Sequence, residues 1–260
     1  AERAVQEAVA AMGGLDILIN NAGAVLVGPA EDMRVEDYEA LMRVHFHAPL
    51  YTTLAALPHL KAAGKARLVN ISSIGGRVAL PHMSAYSASK FALVGLSEGL
   101  RAELGRVGIR VLTVTPGLMR TGSIGQAWVK GQAEKEFAAF AVLDSLPLLS
   151  AGAEHSARAI IRALRAGEAS LTLTLPAWIL EKLHGLAPGL TADILGAMNR
   201  LLPAPTGSDA RQRGSEARAA SGVPDALLAL SDRAAARNNQ RAGAGGKDFP
   251  VASPEGQAAQ

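Results

Sequence analysis

Four compact apolar runs punctuate the first two thirds of the chain: Leu15-Asp16-Ile17-Leu18-Ile19, Ala66-Arg67-Leu68-Val69-Asn70-Ile71, Ile109-Arg110-Val111-Leu112-Thr113-Val114 and the weaker Leu171-Thr172-Leu173-Thr174-Leu175. Runs this short and this apolar predict strands buried on both faces. Between them apolar residues recur at helical spacing over about 35–63, 84–105, 126–139 and 153–166. A charged helical pattern at 2–12 precedes the first run and stops at Gly13-Gly14, a turn pair that cannot easily continue a helix. Strands alternating with helices demand parallel pairing through right-handed crossovers. The expected fold class is therefore α/β, a doubly wound parallel sheet.

Beyond Pro176 the pattern changes. Trp178, Leu180, Leu183, Leu186, Leu190, Ile194, Met198 and Leu202 recur at helical spacing, broken at Pro188-Gly189, which predicts two short amphipathic helices over 177–203. From 204 to 260 Ala, Gly, Ser, Arg, Gln and Pro dominate around one apolar island, Leu227-Leu228-Ala229-Leu230. Such a composition buries too little surface to order itself, so most of this tail is expected to be disordered. The organisation is thus an α/β domain at 1–176, a helical segment at 177–203 and a tail at 204–260.

Composition narrows the function classes. A hydrophobic fraction of 49% over 260 residues suffices for a sizeable core. The 26 Lys plus Arg against 23 Asp plus Glu are scattered, so nucleic acid is not an expected partner. With no Cys and six His lacking ligand spacing, no metal is expected. The first residues carry no apolar signal core, and no run of eighteen apolar residues occurs, so a cytoplasmic location is expected. Residue 1 is Ala rather than Met, as in a partial reading frame or a processed chain.

The chemistry concentrates at Tyr86-Ser87-Ala88-Ser89-Lys90, at the start of the second long helix. Residues four apart share a helix face, which brings the Lys90 ammonium near the Tyr86 phenol. A phenol titrates near pH ~10, and a neighbouring cation favours the phenolate, giving Tyr86 the character of a general acid/base. Ser72 and Ser73 lie just past the end of the second strand, followed by Gly75-Gly76. Open α/β sheets place ligands there, and Ser73 could polarise a carbonyl; both hydroxyls could equally satisfy turn backbone. Asn20-Asn21-Ala22-Gly23 and Thr115-Pro116-Gly117-Leu118-Met119-Arg120-Thr121 follow the first and third strands, with small residues that admit a flat ligand close to the backbone.

In this order and at these spacings, the four segments resemble the short-chain dehydrogenase/reductase family over residues 1 to about 176. The resemblance implies a Rossmann-type fold that binds NAD or NADP and interconverts a small-molecule alcohol and carbonyl by hydride transfer. It implies that Tyr86 is the catalytic acid/base, that Ser73 polarises the carbonyl, and that Lys90 tunes Tyr86 and holds the nicotinamide ribose. It also implies that Asn20, Ala22 and Gly23 lie along the adenosine side of the cofactor, with Pro116, Gly117 and Thr121 at the nicotinamide end. A homo-oligomer is expected, and Ala92, Gly95 and Gly99 would permit close helix packing.

The sequence departs from the family pattern twice. Val44-His45 stands where the family has Val-Asn, whose Asn helps hold a water on the catalytic lysine; His45 could support that relay or merely pack. The resemblance further implies that the sheet lacks its first three strands and their glycine-rich turn, about 80 residues at about 30 for each strand–helix–strand unit. Cofactor affinity is then expected to collapse, and the strand at 15–19 to become an apolar sheet edge. Helices such as those at 177–203 resemble extensions that cover a substrate pocket or meet a partner or a membrane surface. The alternative to an oxidoreductase is a non-catalytic family member acting through oligomerisation or a membrane-surface contact.

Overall fold

In the computed structural model of the protein the described residues are 1–146 and 149–238. The main sheet holds four parallel strands, β1 (Ile17–Asn20), β3 (Arg67–Ile71), β4 (Arg110–Pro116) and β8 (Ser170–Leu173), in the spatial order β1-β3-β4-β8. Its register pairs Asn20 with Asn70, Asn70 with Thr113, and Thr115 with Thr172, so all four strands end on one side. Helix α1 (Glu2–Met12) leads into it and ends at Gly13, whose φ of 76° is a left-handed cap that suits glycine.

Alternation along the strands decides which helix packs where. Leu68 and Val111 point to one face, into a core with Val5 of α1, Ala56 and Leu60 of α3 (Ala48–Ala62), and Leu104 of α4 (Ser84–Leu104). Their neighbours Val69 and Leu112 point to the other face, against Ala163 and Leu164 of α7 (Ala153–Ala166). The sheet is therefore covered on both faces, Rossmann-like, as the alternating pattern requires. Among the described residues β1 is an edge strand, and Ile17 and Ile19 are 46% and 51% exposed.

The region before α3 is one continuous helical rod, α2 (Val35–Met42) passing through a wider turn at Arg43–His47 into α3. That wide turn, a feature often found at functional sites, carries His45 inward. The pattern at 126–139 resolves differently from expectation. Trp128–Lys130 forms β6, paired in parallel with β2 (Leu26–Val27), and helix α6 runs from Ala133 to Ser145. Gly131 separates them at φ 73°, and a Cβ there would meet Asp32 Oδ2 at 2.8 Å. A glycine turn thus ends the strand and delays the helix. Short strands β5 (Leu118–Arg120) and β7 (Ser150–Gly152) pair in parallel, with α5 (Ser123–Gln126) between β5 and β6.

The two helices expected after Pro176 are α8 (Leu175–Leu186) and α9 (Pro188–Asn199), separated where Pro188 begins the second. The expectation of a largely disordered tail fails for 205–238. Asp32 accepts the Thr206 N–H at 3.0 Å and the Gly207 N–H at 2.7 Å, and Arg34 pairs with Asp209 at 2.5 Å. Strand β9 (Arg211–Arg213) then adds antiparallel to β6, with the Arg213 guanidinium 4.0 Å from the Trp128 ring. Helices α10 (Gly214–Ala220) and α11 (Asp225–Arg237) bury Ala217 and Leu228 against Val129, Ala133, Phe137 and Ala141. Backbone pairing and small alanines do what a count of large apolar residues misses. Residues 239–260 lie outside the described residues.

Candidate active site

The strand ends converge on a cavity of about 500 Å³ lined by Asn21, Gly23, His45, Ser73, Tyr86, Lys90, Pro116, Gly117 and Thr121. Eight positions singled out for chemistry or cofactor contact in the sequence, Gly23, His45, Ser73, Tyr86, Lys90, Pro116, Gly117 and Thr121, thus line one cavity. Asn20 and Ala22 do not line it. The Asn20 amide donates to Asn70 Oδ1 at 2.9 Å and Thr53 Oγ1 at 3.2 Å, and its carbonyl accepts from Thr52 at 2.7 Å. Asn70 in turn donates to Ser97, and Thr113 donates to Ser97 at 2.7 Å. Asn20 therefore joins a polar clamp across β1, β3, β4 and α4, with every member satisfied.

Helix α4 delivers Tyr86 and Lys90 to the cavity because the turn after β3 lets it approach. A Cβ on Gly75 would meet Tyr86 Cε1 at 3.1 Å, and one on Gly76 would meet Ser72 Oγ at 2.5 Å and the Lys90 carbonyl at 2.7 Å. Ser72 is buried and donates to that Lys90 carbonyl at 3.0 Å, so its role is backbone satisfaction. Ser73 Oγ accepts the Gly75 N–H at 3.1 Å and lines the same cavity as the Tyr86 phenol.

The Lys90 ammonium lies 5.7 Å from the centroid of the Tyr86 ring and donates to the Ile71 carbonyl at 3.1 Å. Burial pulls its pKa down from 10.5 to about 8. The expected lowering of Tyr86 by Lys90 is not the dominant effect. Burial raises the phenol above its ordinary value, and the neighbouring Ser73 hydroxyl opposes that rise. Desolvation outweighs neighbouring groups here because the phenolate would be shut away from water.

His45 is fully buried beside them, its ring edge-on to Tyr86 with centroids 5.3 Å apart. Its Nε2 accepts the Ala24 N–H at 3.1 Å, which leaves the proton on Nδ1, 2.8 Å from Ser89 Oγ. Ser89 passes the chain on to the Tyr86 carbonyl at 2.7 Å. Burial, reinforced by Lys90, lowers the His45 pKa to about 2, so the ring is neutral. A Cβ on Gly23 would meet His45 Nε2 at 3.2 Å; glycine is needed there to seat the imidazole.

Gly117 is small for a different reason from the one expected: a Cβ there would collide with Thr174 Oγ1 and with Ala177 at 2.9 Å. Two buried polar residues of the lining carry no signal in the sequence. Asp144 on α6 is 3% exposed, and Ser156 on α7 is fully buried. Asp144 Oδ1 accepts the Met119 N–H at 3.1 Å, whereas Asp144 Oδ2 and Ser156 Oγ have no partner among the described residues. Burial pushes Asp144 up from 3.8 to about 7 against the opposing pull of the Met119 N–H and Arg120. Neither residue sits in a local pattern that distinguishes it from an ordinary helix residue.

With this geometry in view, comparison with known proteins becomes specific. The short chain dehydrogenase family model matches residues 1–135, just over half of the chain, and the chain belongs to the short-chain dehydrogenase/reductase family. Members of this family use NAD or NADP. The chain is 38% identical over 120 residues to a 3-ketodihydrosphingosine reductase of Bacteroides thetaiotaomicron, covering 46% of this chain and 45% of that protein. It is 38% identical over 118 residues to a 3-alpha-(or 20-beta)-hydroxysteroid dehydrogenase of Mycobacterium tuberculosis, covering 45% of each. The chain spans about half the length of these curated relatives. Among solved structures, a short-chain dehydrogenase from Streptomyces avermitilis superposes with a TM-score of 0.64 at 30% identity, over 76% of each chain. A gluconate 5-dehydrogenase from Burkholderia cenocepacia, in complex with NADP and tartrate, superposes with a TM-score of 0.56 at 27% identity, over 66% of this chain and 68% of that one.

Proposed function

We propose that this protein is a nicotinamide-dependent oxidoreductase that interconverts an alcohol and a carbonyl. The observation that carries the reading is the convergence of Ser73, Tyr86 and Lys90 on one cavity at the strand ends, with the Lys90 ammonium 5.7 Å from the centroid of the Tyr86 ring.

The residues present fit the nicotinamide half of NAD or NADP. The cavity's size lies in the range of small-molecule sites, about 300–1,000 Å³, and two residues of its lining carry a buried polar atom, Asp144 Oδ2 and Ser156 Oγ, with no partner among the described residues. Buried polar atoms of that kind call for a ligand group. Lys90 and Tyr86 would hold the ribose, and Pro116, Gly117 and Thr121 the nicotinamide end, with Gly23 further along. The cofactor, when bound, supplies a hydride to the carbonyl carbon or accepts one from the carbinol carbon.

The chain's own groups handle the proton. Tyr86, held protonated by its burial, gives its proton to the carbonyl oxygen during reduction and takes it back during oxidation. Ser73, whose oxygen already accepts the Gly75 N–H, turns its hydroxyl to the same oxygen and stabilises the developing charge. Lys90, a cation below about pH 8, stabilises the phenolate left behind. His45, neutral and bonded on both nitrogens, positions Ser89 and the start of α4.

Tyr86→Phe removes the proton donor and keeps the ring. Oxidation of NADPH or NADH with a carbonyl substrate should fall about 10²- to 10⁴-fold in this variant. An unchanged rate would overturn the assignment.

A further inference from the structure

A second cavity of about 370 Å³ adjoins the first. The two share Ile74, Leu80, Met83, Gly117, Leu118 and Phe140 in their walls, so they lie side by side. Its far side is built by the helices that follow the main sheet: Leu180 comes from α8, Leu195 and Met198 from α9. Polar side chains are scarce among the described residues that line it. Thr174 spends its hydroxyl oxygen capping α8 at the Ala177 N–H, and His82 is paired with Glu136 at 2.7 Å. Beyond this pair no charged side chain lines the cavity among the described residues.

We infer that this cavity holds the hydrocarbon portion of the substrate: a ketone or secondary alcohol carrying a long, uncharged apolar chain, whose reacting carbon lies at Ser73 and Tyr86. The inference rests on the dehydrogenase reading only for the position of the reacting carbon. The apolar wall begins at Met83, three residues before Tyr86, and ends where Met198 and Leu201, 54% and 87% exposed, open it to the surface. A small hydrophilic substrate would leave it as empty apolar space, and a sugar or carboxylate would find only the Thr174 hydroxyl and the His82–Glu136 pair among the described residues. A chain of methylenes desolvates fully along it, and each one buried favours binding by about 0.8 kcal/mol, close to a fourfold gain.

Two measurements on the full chain separate this inference from the reading beneath it. Calorimetry with 2-butanone, 2-octanone and 2-dodecanone, without cofactor, should show affinity rising about fourfold per added methylene until the cavity is filled. Ala139→Trp, which projects an indole into the cavity from α6, should abolish the gain while leaving the melting temperature close to wild type. A second variant, Leu195→Trp, blocks from the opposite wall and guards against a folding defect in the first. Turnover of the same ketones with NADPH should follow the same series, and a ketone with a terminal carboxylate should lose the gain. Flat affinity along the series, or full retention of it in both blocked variants, overturns the cavity's role. Length-dependent binding with NADPH bound but not oxidised leaves the cavity in place and removes the dehydrogenase reading; turnover indifferent to length does the reverse.

Discussion

Asp144 provides a sharp test of how the site's enclosure shifts a charge. Its carboxyl is 3% exposed, and its pKa in the fold is about 7 against 3.8 ordinarily. A folded-state pKa raised above the unfolded value means that the native protein holds a proton the unfolded chain has released. The contribution to stability is therefore fully present below about pH 4 and is lost as pH rises to about 7. Between 3.8 and about 7, at 1.36 kcal/mol per pKa unit, the loss amounts to roughly 4 kcal/mol.

Asp144→Asn isolates the effect, because the amide oxygen still accepts the Met119 N–H and no charge can form. Urea unfolding of wild type and variant at half-unit steps from pH 4 to pH 8 supplies the measurement. Every other titrating group is common to both proteins and cancels in the difference. At pH 4 the variant should be the less stable by about 1–3 kcal/mol, since its NH₂ has no new acceptor. By pH 8 the balance should have moved toward the variant by roughly 4 kcal/mol. A stability difference that stays constant from pH 4 to pH 8 would refute the claim that burial governs this carboxyl.

Three further substitutions probe the supports of the site. Gly76→Ala, whose Cβ would press on Ser72 Oγ and the Lys90 carbonyl, should cost about 1–3 kcal/mol in thermal or urea unfolding. His45→Ala should cost a similar 1–3 kcal/mol at pH 7 by leaving the Ala24 N–H without its acceptor, and that cost should shrink as pH falls below about 6.5, where the unfolded imidazole takes a proton that the native one, its pKa lowered to about 2, does not. Lys130→Met strands the Asp37 carboxylate, now held at 2.5 Å in a buried pair, and should cost about 3–5 kcal/mol; Lys130→Met with Asp37→Leu should recover most of that loss.

Local signals carried the sheet and the candidate site. The apolar runs around Leu68 and Val111 need no long-range information to declare strands, because both neighbours of each residue face a helix. Tyr86 and Lys90 are four apart on one helix, and the two strand-end segments announce themselves by small residues. What the chain conceals is held by distant partners. Thr206 and Gly207 dock through their backbone N–H groups on Asp32, 174 and 175 residues away, and no side-chain pattern encodes a backbone donor. The spacing around Trp128 predicts a helix because its pairing partners, at 26–27 and 211–213, lie far off in sequence. Asn20, placed by resemblance beside the cofactor, instead ties β1 to β3; an Asn at a strand end suits either role until its neighbours are known.

His45 illustrates how one departure from a family pattern is absorbed by its surroundings. An imidazole needs more room than a carboxamide, and two features supply it: the wide helical turn at Arg43–His47 and the missing side chain of Gly23. It also brings a titratable group close to Lys90, since the space beyond Gly23 is bounded by His45 Nε2 and, at 3.7 Å, by Lys90 Nζ. Two cations there would repel in a desolvated setting, and each would be further penalised by burial. The Ala24 N–H removes the conflict by pointing at Nε2, which leaves that nitrogen an acceptor. Protonation would break this bond as well as add charge, so the lysine is the group that carries the cation beside Tyr86. The substitution therefore leaves the charge of the site that of one ammonium facing one phenol, and changes what holds Ser89 and the first turn of α4 in place.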